Sequence, residues 1–243
     1  MEALFDVWGI VVNFFQNTWD SFYQTIIYDN RYLYILEGLF NTLIIALFAV
    51  IIGIVIGVLV ALIRNNYDRN NKFKLLNKIA CLYVNVIRGT PQILQLMIIY
   101  YIIFGTVDIN IVFVGILAFG INSGAYVSEI IRAGIESIDN GQLEAGYSLG
   151  LNYPKVMRYI ILPQAIKNIL PALGNEFITL LKDTSVGAYI GIVELTKASD
   201  IIASRTYDYF FPLIIVAIIY LILTIGLSKL INMMERKLSN DYS

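Results

Sequence analysis

Residues 43–63 read LIIALFAVIIGIVIGVLVALI, a run without one polar side chain. As a helix it would rise about 31 Å at 1.5 Å per residue, the thickness of a bilayer's hydrocarbon core. The rest of the chain supports that reading. Of 243 residues, 58% are hydrophobic and only 14% charged, and mean hydropathy is +0.71. An ordinary soluble domain carries about 25% charged residues, and a chain of this size could not hide so much apolar surface in water. The composition predicts an integral membrane protein and excludes a typical cytosolic enzyme or a disordered chain.

Outward from that run, a second apolar stretch covers residues 210–227 and reaches about 231. Three further stretches carry polar residues: 79–104, broken by Gly89-Thr90-Pro91; 111–131; and 160–181, with Pro163 and Pro171 inside it. Together they predict an all-α, polytopic transmembrane helix bundle of five spans. An N-terminal apolar pass at 7–15 is too short to cross and lacks the cationic start of a signal peptide. Trp8 and Trp19 fall on one face of a helix there, so an interfacial helix with aromatic anchors is expected.

Cations orient the bundle. Arg64, Arg69, Lys72, Lys74, Lys78, Arg132, Lys155, Arg158, Lys229, Arg236 and Lys237 would share one side, against Arg31, Lys197 and Arg205 on the other. The positive-inside rule then sets the C-terminus in the cytoplasm and the N-terminus outside, as an odd number of spans requires.

A charge at mid-bilayer costs roughly 2.5–3.5 kcal/mol on insertion scales, so each one within a span needs a reason. Asn85, Arg88, Gln92 and Gln95 recur at steps of three, four and three, near one helical face if Pro91 only kinks the helix. Gln164, Asn168, Asn175, Thr179 and Lys182 form a similar stripe, with Glu176 and Asp183 beside it, and the third span adds Asn122, Tyr126 and Glu129. Such stripes either tie helices together by hydrogen bonds or line a polar pathway. On the second reading the pathway candidates are Asn85, Arg88, Gln92, Asn122, Glu129, Asn175 and Lys182. Arg88 could meet a solute carboxylate or pair internally with Glu129 or Glu176. Five helices are too few to enclose a pathway, so a second copy or a related subunit is expected.

Histidine is absent and Cys81 is the sole cysteine, so neither a metal site nor a cofactor is expected. Lys plus Arg (17) nearly balances Asp plus Glu (18), so no nucleic-acid partner is called for. The chain has no G-x-x-x-x-G-K-[ST] phosphate loop of the kind that cradles ATP phosphates.

The stretch between the third and fourth spans is the most specific. Residues 141–165 read GQLEAGYSLGLNYPKVMRYIILPQA. A two-turn helix over 142–149 is predicted, with Gly150 as the left-handed residue that ends it and Asn152 before Pro154 restarting a helix. This loop strongly resembles that of ABC importer permease subunits, whose pattern is E-A-A-x3-G-x9-I-x-L-P. Glu144, Ala145, Gly150, Ile160, Leu162 and Pro163 match at that spacing, and Gly146 replaces the second alanine. Residues 83–96 (YVNVIRGTPQILQL), 124–138 (GAYVSEIIRAGIESI) and 180–195 (LLKDTSVGAYIGIVEL) look like the polar amino acid branch, the histidine and glutamine type.

The resemblance covers residues 36–238, leaving 1–35 as an extracytoplasmic or interfacial segment and 239–243 as a tail. It implies a type I ABC importer transmembrane domain in a bacterial cell membrane. It also implies that Glu144, Ala145, Gly146, Gly150, Leu162 and Pro163 couple the chain to separate ATPase subunits. The other implied partners are an extracytoplasmic amino-acid-binding protein and a second permease subunit, identical or a paralogue. An ion-coupled carrier or channel using Glu129, Glu176 and Asp183 is the alternative. The paired internal repeats common in such carriers are not found.

Overall fold

The computed structural model of the chain describes residues 2–70 and 73–240, and the side chains of 12–67 and 73–237. Lys72 of the cationic loop and the tail from 241 onward lie outside the described residues, as do the side chains of Trp8 and Arg69. Among the described residues every regular element is helical. In chain order they are α1 (Glu2–Phe22), α2 (Tyr32–Asn70), α3 (Lys74–Gly89), α4 (Gln92–Met97), α5 (Ile111–Glu136), α6 (Asn140–Ser148), α7 (Tyr153–Val156), α8 (Leu162–Asp183), α9 (Leu195–Thr206) and α10 (Phe210–Asn240).

Helices α2 and α5 form the most extensive contact and run in the same direction. Small residues allow the approach: Gly53 of α2 faces Ser123 of α5, and one turn on Gly57 faces Val127. Helix α8 returns antiparallel, with Gly134 of α5 against Ile169 and Ser123 against Glu176. The largest apolar cluster, with Ile45, Leu96, Phe119, Leu180 and Ile192, joins α2, α4, α5 and α8 at the end opposite α6. Helix α9 is pinned there by Glu194, a fully buried N-cap whose carboxylate accepts from the backbone N–H of Thr196 and Lys197 and from Tyr220 Oη of α10.

Among the described residues three helices are alone long and apolar enough to cross a bilayer: Tyr32–Tyr67, Ile111–Glu136 and Phe210–Lys237. The most apolar window of Phe210–Lys237 is only 11% buried, against 61% for Ile111–Glu136, so α10 turns most of its surface to lipid or another chain. Helix α8 has 22 residues, enough in length, but its polar stripe lowers its hydropathy below that of the other three.

The stretch 79–104 departs from the sequence expectation. It is two segments, Lys74–Gly89 and Gln92–Ile103, bent by 111° at the break. Thr90 is extended (φ −124°, ψ 149°) because Pro91 disfavours helical geometry in the residue before it, and proline's missing N–H removes a helix bond. The stripe Asn85–Arg88–Gln92–Gln95 is therefore not one face of one helix. Gln95 folds back across the break instead, its Nε2 donating to Ile87 O (2.7 Å) and Thr90 O (3.0 Å).

Helix α1 is longer than its apolar core suggests, running to Phe22 and then through a π turn (Tyr23–Ile27) toward α2. Trp19 is exposed and stacks at 5.6 Å on Phe22, which in turn meets Phe211 of α10 edge-on.

Candidate translocation and coupling site

Two regions hold the candidate residues. The first is the elbow between α5 and α8. Asp139 caps α6 by accepting from Gly141 N–H at 2.6 Å. At the other end Gly150 is left-handed (φ +74°), Gly150 N–H donates to Tyr147 O and Leu151 N–H to Gly146 O. Those two bonds are the Schellman pattern, which satisfies the last carbonyls and stops the helix sharply. Asn152 then accepts from Lys155 N–H and starts α7, with Pro154 in its first turn. A π turn (Met157–Ile161) leads into α8, where Leu162 and Pro163 form the first turn.

The helix α6 is held rigidly on that base. Gly146 is buried, and a Cβ there would come within 2.7 Å of Val156 Cγ2. Glycine in place of the second alanine lets α6 lie closer to α7 than alanine would. Glu144, Ala145 and Leu149 stay exposed, and Leu149 is 78% exposed despite being apolar. The elbow thus offers a short helix of fixed orientation with an acidic and an apolar group facing away from the bundle.

The second region runs through the bundle. Nearest the middle of α5, buried Asn122 donates to Gln95 Oε1 of α4 at 2.8 Å, and neighbouring Ser123 donates to Glu176 Oε1 of α8 at 2.8 Å. Two adjacent residues so tie three helices. Gln92 Nε2 is buried without a hydrogen-bond partner. Asn85, Asn175 and Lys182 are exposed.

Two turns along α5 toward the elbow, Glu129 is the hub of a charge cluster. Arg64 from α2 hydrogen-bonds to its Oε1, Arg88 from α3 lies 3.2 Å from Oε2, and Arg132 of α5 donates to Oε2 at 2.9 Å. Arg132 also makes bonds of 2.7 Å to both oxygens of Glu136, and Arg88 stacks over the Tyr126 ring at 5.6 Å. Of the two internal partners expected for Arg88, the structure supplies Glu129, while Glu176 is held by Ser123. Tyr153 of α7 links cluster to elbow, its Oη 3.2 Å from Asn65 Nδ2 and 3.3 Å from Asn65 Oδ1.

Sequence reasoning missed Arg64, Arg132 and Ser123 as members of these networks. Arg64 and Arg132 served only as orienting charges, although Glu129, Arg132 and Glu136 stand at helical steps of three and four, a readable ion-pair signal. Ser123 had no local signal.

Comparison with known proteins bears on the family and the fold. Residues 53–240 match the family described as binding-protein-dependent transport system inner membrane component. A putative glutamine transport system permease protein GlnP of Rickettsia bellii (strain RML369-C) is 42% identical over 214 residues, covering 87% of this chain and 95% of the relative. The arginine transport system permease protein ArtQ of Bacillus subtilis (strain 168) is 42% identical over 211 residues, covering 86% and 94%. Among solved structures, an amino acid ABC transporter crystallised with histidines has a TM-score of 0.78 at 46% identity, over 84% of this chain and 94% of that one. An inward-facing form of the MetNI methionine ABC transporter shares the fold, with a TM-score of 0.73 at 20% identity, over 86% of this chain and 98% of that one.

The chain belongs to the family of binding-protein-dependent transport system inner membrane components. It is a multi-pass membrane permease subunit with the type I ABC importer fold, a translocation component whose ATPase is a separate subunit.

Proposed function

We propose that this chain carries a polar amino acid across a bacterial cell membrane as half of a permease pair. Solute would arrive from an extracytoplasmic binding protein, and ATP hydrolysis would occur on ATPase subunits docked at residues 144–163. The observation that carries the reading is the elbow: a rigidly capped helix with exposed Glu144, Ala145 and Leu149, standing clear of the bundle on a glycine-tight contact with α7. Relatives named for glutamine and arginine transport favour a polar amino acid as the cargo.

In this reading Gly146 and Gly150 set the elbow's position and stop, and Leu162 and Pro163 begin the helix that receives its motion. The pathway is lined by Asn85, Arg88, Gln92, Asn122, Glu129, Asn175 and Lys182. The unpaired amide of Gln92, beside the α3–α4 break, is suited to a polar solute. Translocation occupies residues 36–238, crossed five times, with the N-terminus outside and the C-terminus cytoplasmic on the strength of the cation count.

The test is to purify the permease with its ATPase, add the binding protein, and screen amino acids for stimulation of ATP hydrolysis. Stimulation by glutamine, arginine or histidine supports the reading. Stimulation confined to a sugar, a metal or a large apolar solute contradicts the cargo.

A further inference from the structure

Between α2, α5 and α8 lies a cavity of about 510 Å³, within the size range of ligand pockets. Its walls include Ile54, Val58 and Leu62 of α2 and Ile166, Leu170 and Leu173 of α8, and almost everything it exposes is apolar. It shares Ala61, Asn65 and Ile135 with a second cavity of about 60 Å³, lined also by Arg64, Ser128, Arg132 and Glu136. An apolar groove therefore opens at one end on a charged pocket.

Three observations say what fills it. The groove lies on the back of α8: at about 100° per residue, Leu162, Ile166, Ile169, Leu170 and Leu173 centre opposite the stripe of Gln164, Asn168, Asn175, Thr179 and Lys182. On α8 it thus lies opposite the polar stripe, and Leu62 and Ile166 at its rim are 53% and 45% exposed. Its depth along α2, from Ile54 to Asn65, is about 16 Å, close to half of a hydrocarbon core about 30 Å thick. Its charged end lies on the elbow side, where two guanidiniums (Arg64, Arg132) and one carboxylate (Glu136) line the smaller cavity, and Glu129 behind them is shared with Arg88.

We propose that this groove is a binding site for one anionic phospholipid of the leaflet on the elbow side. An acyl chain fills the apolar groove, and the phosphate lies at its mouth against Arg64, Arg132 and the Asn65 amide. Basic pockets between membrane helices bind anionic headgroups in this way. Because Arg64 and Arg132 hold Glu129, and Asn65 holds Tyr153 of the elbow, a bound phosphate would bear on both networks at once.

The permease–ATPase complex is reconstituted in phosphatidylcholine vesicles containing about 20% phosphatidylglycerol, an anionic headgroup. It is then re-extracted, and retained lipid is counted by native mass spectrometry. The expected result is one phosphatidylglycerol per permease chain and no phosphatidylcholine. Leu62→Trp fills the groove from its rim, and Leu170→Trp fills it from the other wall should the first variant not assemble; either abolishes retention. Arg64→Gln lowers the preference for the anionic lipid about fivefold. Equal retention of the two lipids, or unchanged retention in the filled variant, overturns the proposal. Disulfide cross-linking of two permease chains through Leu170→Cys, in a Cys81→Ser background, also overturns it, because protein and not lipid would then cover the groove.

Discussion

Arg88 Nη1 lies 3.2 Å from Glu129 Oε2, joining the end of α3, where the chain breaks before Pro91, to the charge cluster at the elbow end of α5. The cluster is asymmetric. Glu129 holds three arginines from three helices, whereas Arg88, among the described residues, has Glu129 alone for an ion pair and has its side chain 43% exposed. The Arg88 pair is therefore an exposed type of interaction, worth about 0–1 kcal/mol. Removing the hub leaves Arg64 and Arg88 without an ion-pair partner among the described residues and Arg132 with Glu136 alone.

Glu129→Gln is accordingly expected to destabilise the assembled transporter by about 1–3 kcal/mol, and Arg88→Gln by less than about 1 kcal/mol. Thermal unfolding of the purified complex orders the two. Arg88→Gln should assemble yet take up solute poorly, and adding Glu129→Gln should not restore it, because Arg64 would then lose its partner and Arg132 would keep only Glu136. Rescue by the second substitution would mean that the cluster is a simple pair.

Gly150 sits at φ +74°, a region that a β-branched residue enters only at a cost of roughly 1–2 kcal/mol or more. Gly150→Val should insert normally but lose transport and hold its ATPase weakly. Gly150→Asn, which tolerates the left-handed region, should retain most of both. Co-purification of the ATPase and uptake measured on the same preparations check this, and wild-type behaviour in Gly150→Val contradicts it.

A Cβ at Gly146 would meet Val156 Cγ2 at 2.7 Å. Gly146→Ala should thus weaken coupling although alanine is the residue of the family pattern. Val156→Ala in the same chain should recover it by clearing the contact. The ratio of uptake to ATP hydrolysed is the readout, and a fully coupled single variant would show that α6 can shift without consequence.

What could be read before the structure follows from how local each signal is. The 43–63 run, the stop at Gly150 and the restart at Asn152 and Pro154 are set by residues within a turn of each other, and each appears where the sequence puts it. Pro91 marked the break in the second span, but the 111° bend also involves Gln95 reaching back to Ile87 and Thr90 and across to Asn122, which no local pattern reports. Arg64 and Glu129 are 65 residues apart, so their pairing was invisible until α2 and α5 were packed. Helix α1 extends beyond its apolar core although Asn17, Thr18, Asp20 and Ser21 are weak helix formers, and its end meets α10 through the Trp19–Phe22–Phe211 ring contacts, which no local pattern reports.

Orientation is testable by labelling. In a Cys81→Ser background, single cysteines replacing Asp108 and Asp200 should react with an impermeant thiol reagent applied outside cells, and one replacing Gln142 should not. Reaction at position 142 from outside would invert the bundle and remove the elbow from any cytoplasmic ATPase.

The most direct measurement is solute uptake by proteoliposomes holding the permease and its ATPase, with the binding protein and labelled amino acid outside and nucleotide sealed within. Accumulation that requires internal ATP, persists when proton and sodium gradients are collapsed, and disappears in Gly150→Val is the predicted result. Accumulation driven by an ion gradient without ATP would contradict the account and would make Glu129, Glu176 and Asp183 coupling groups of a secondary carrier.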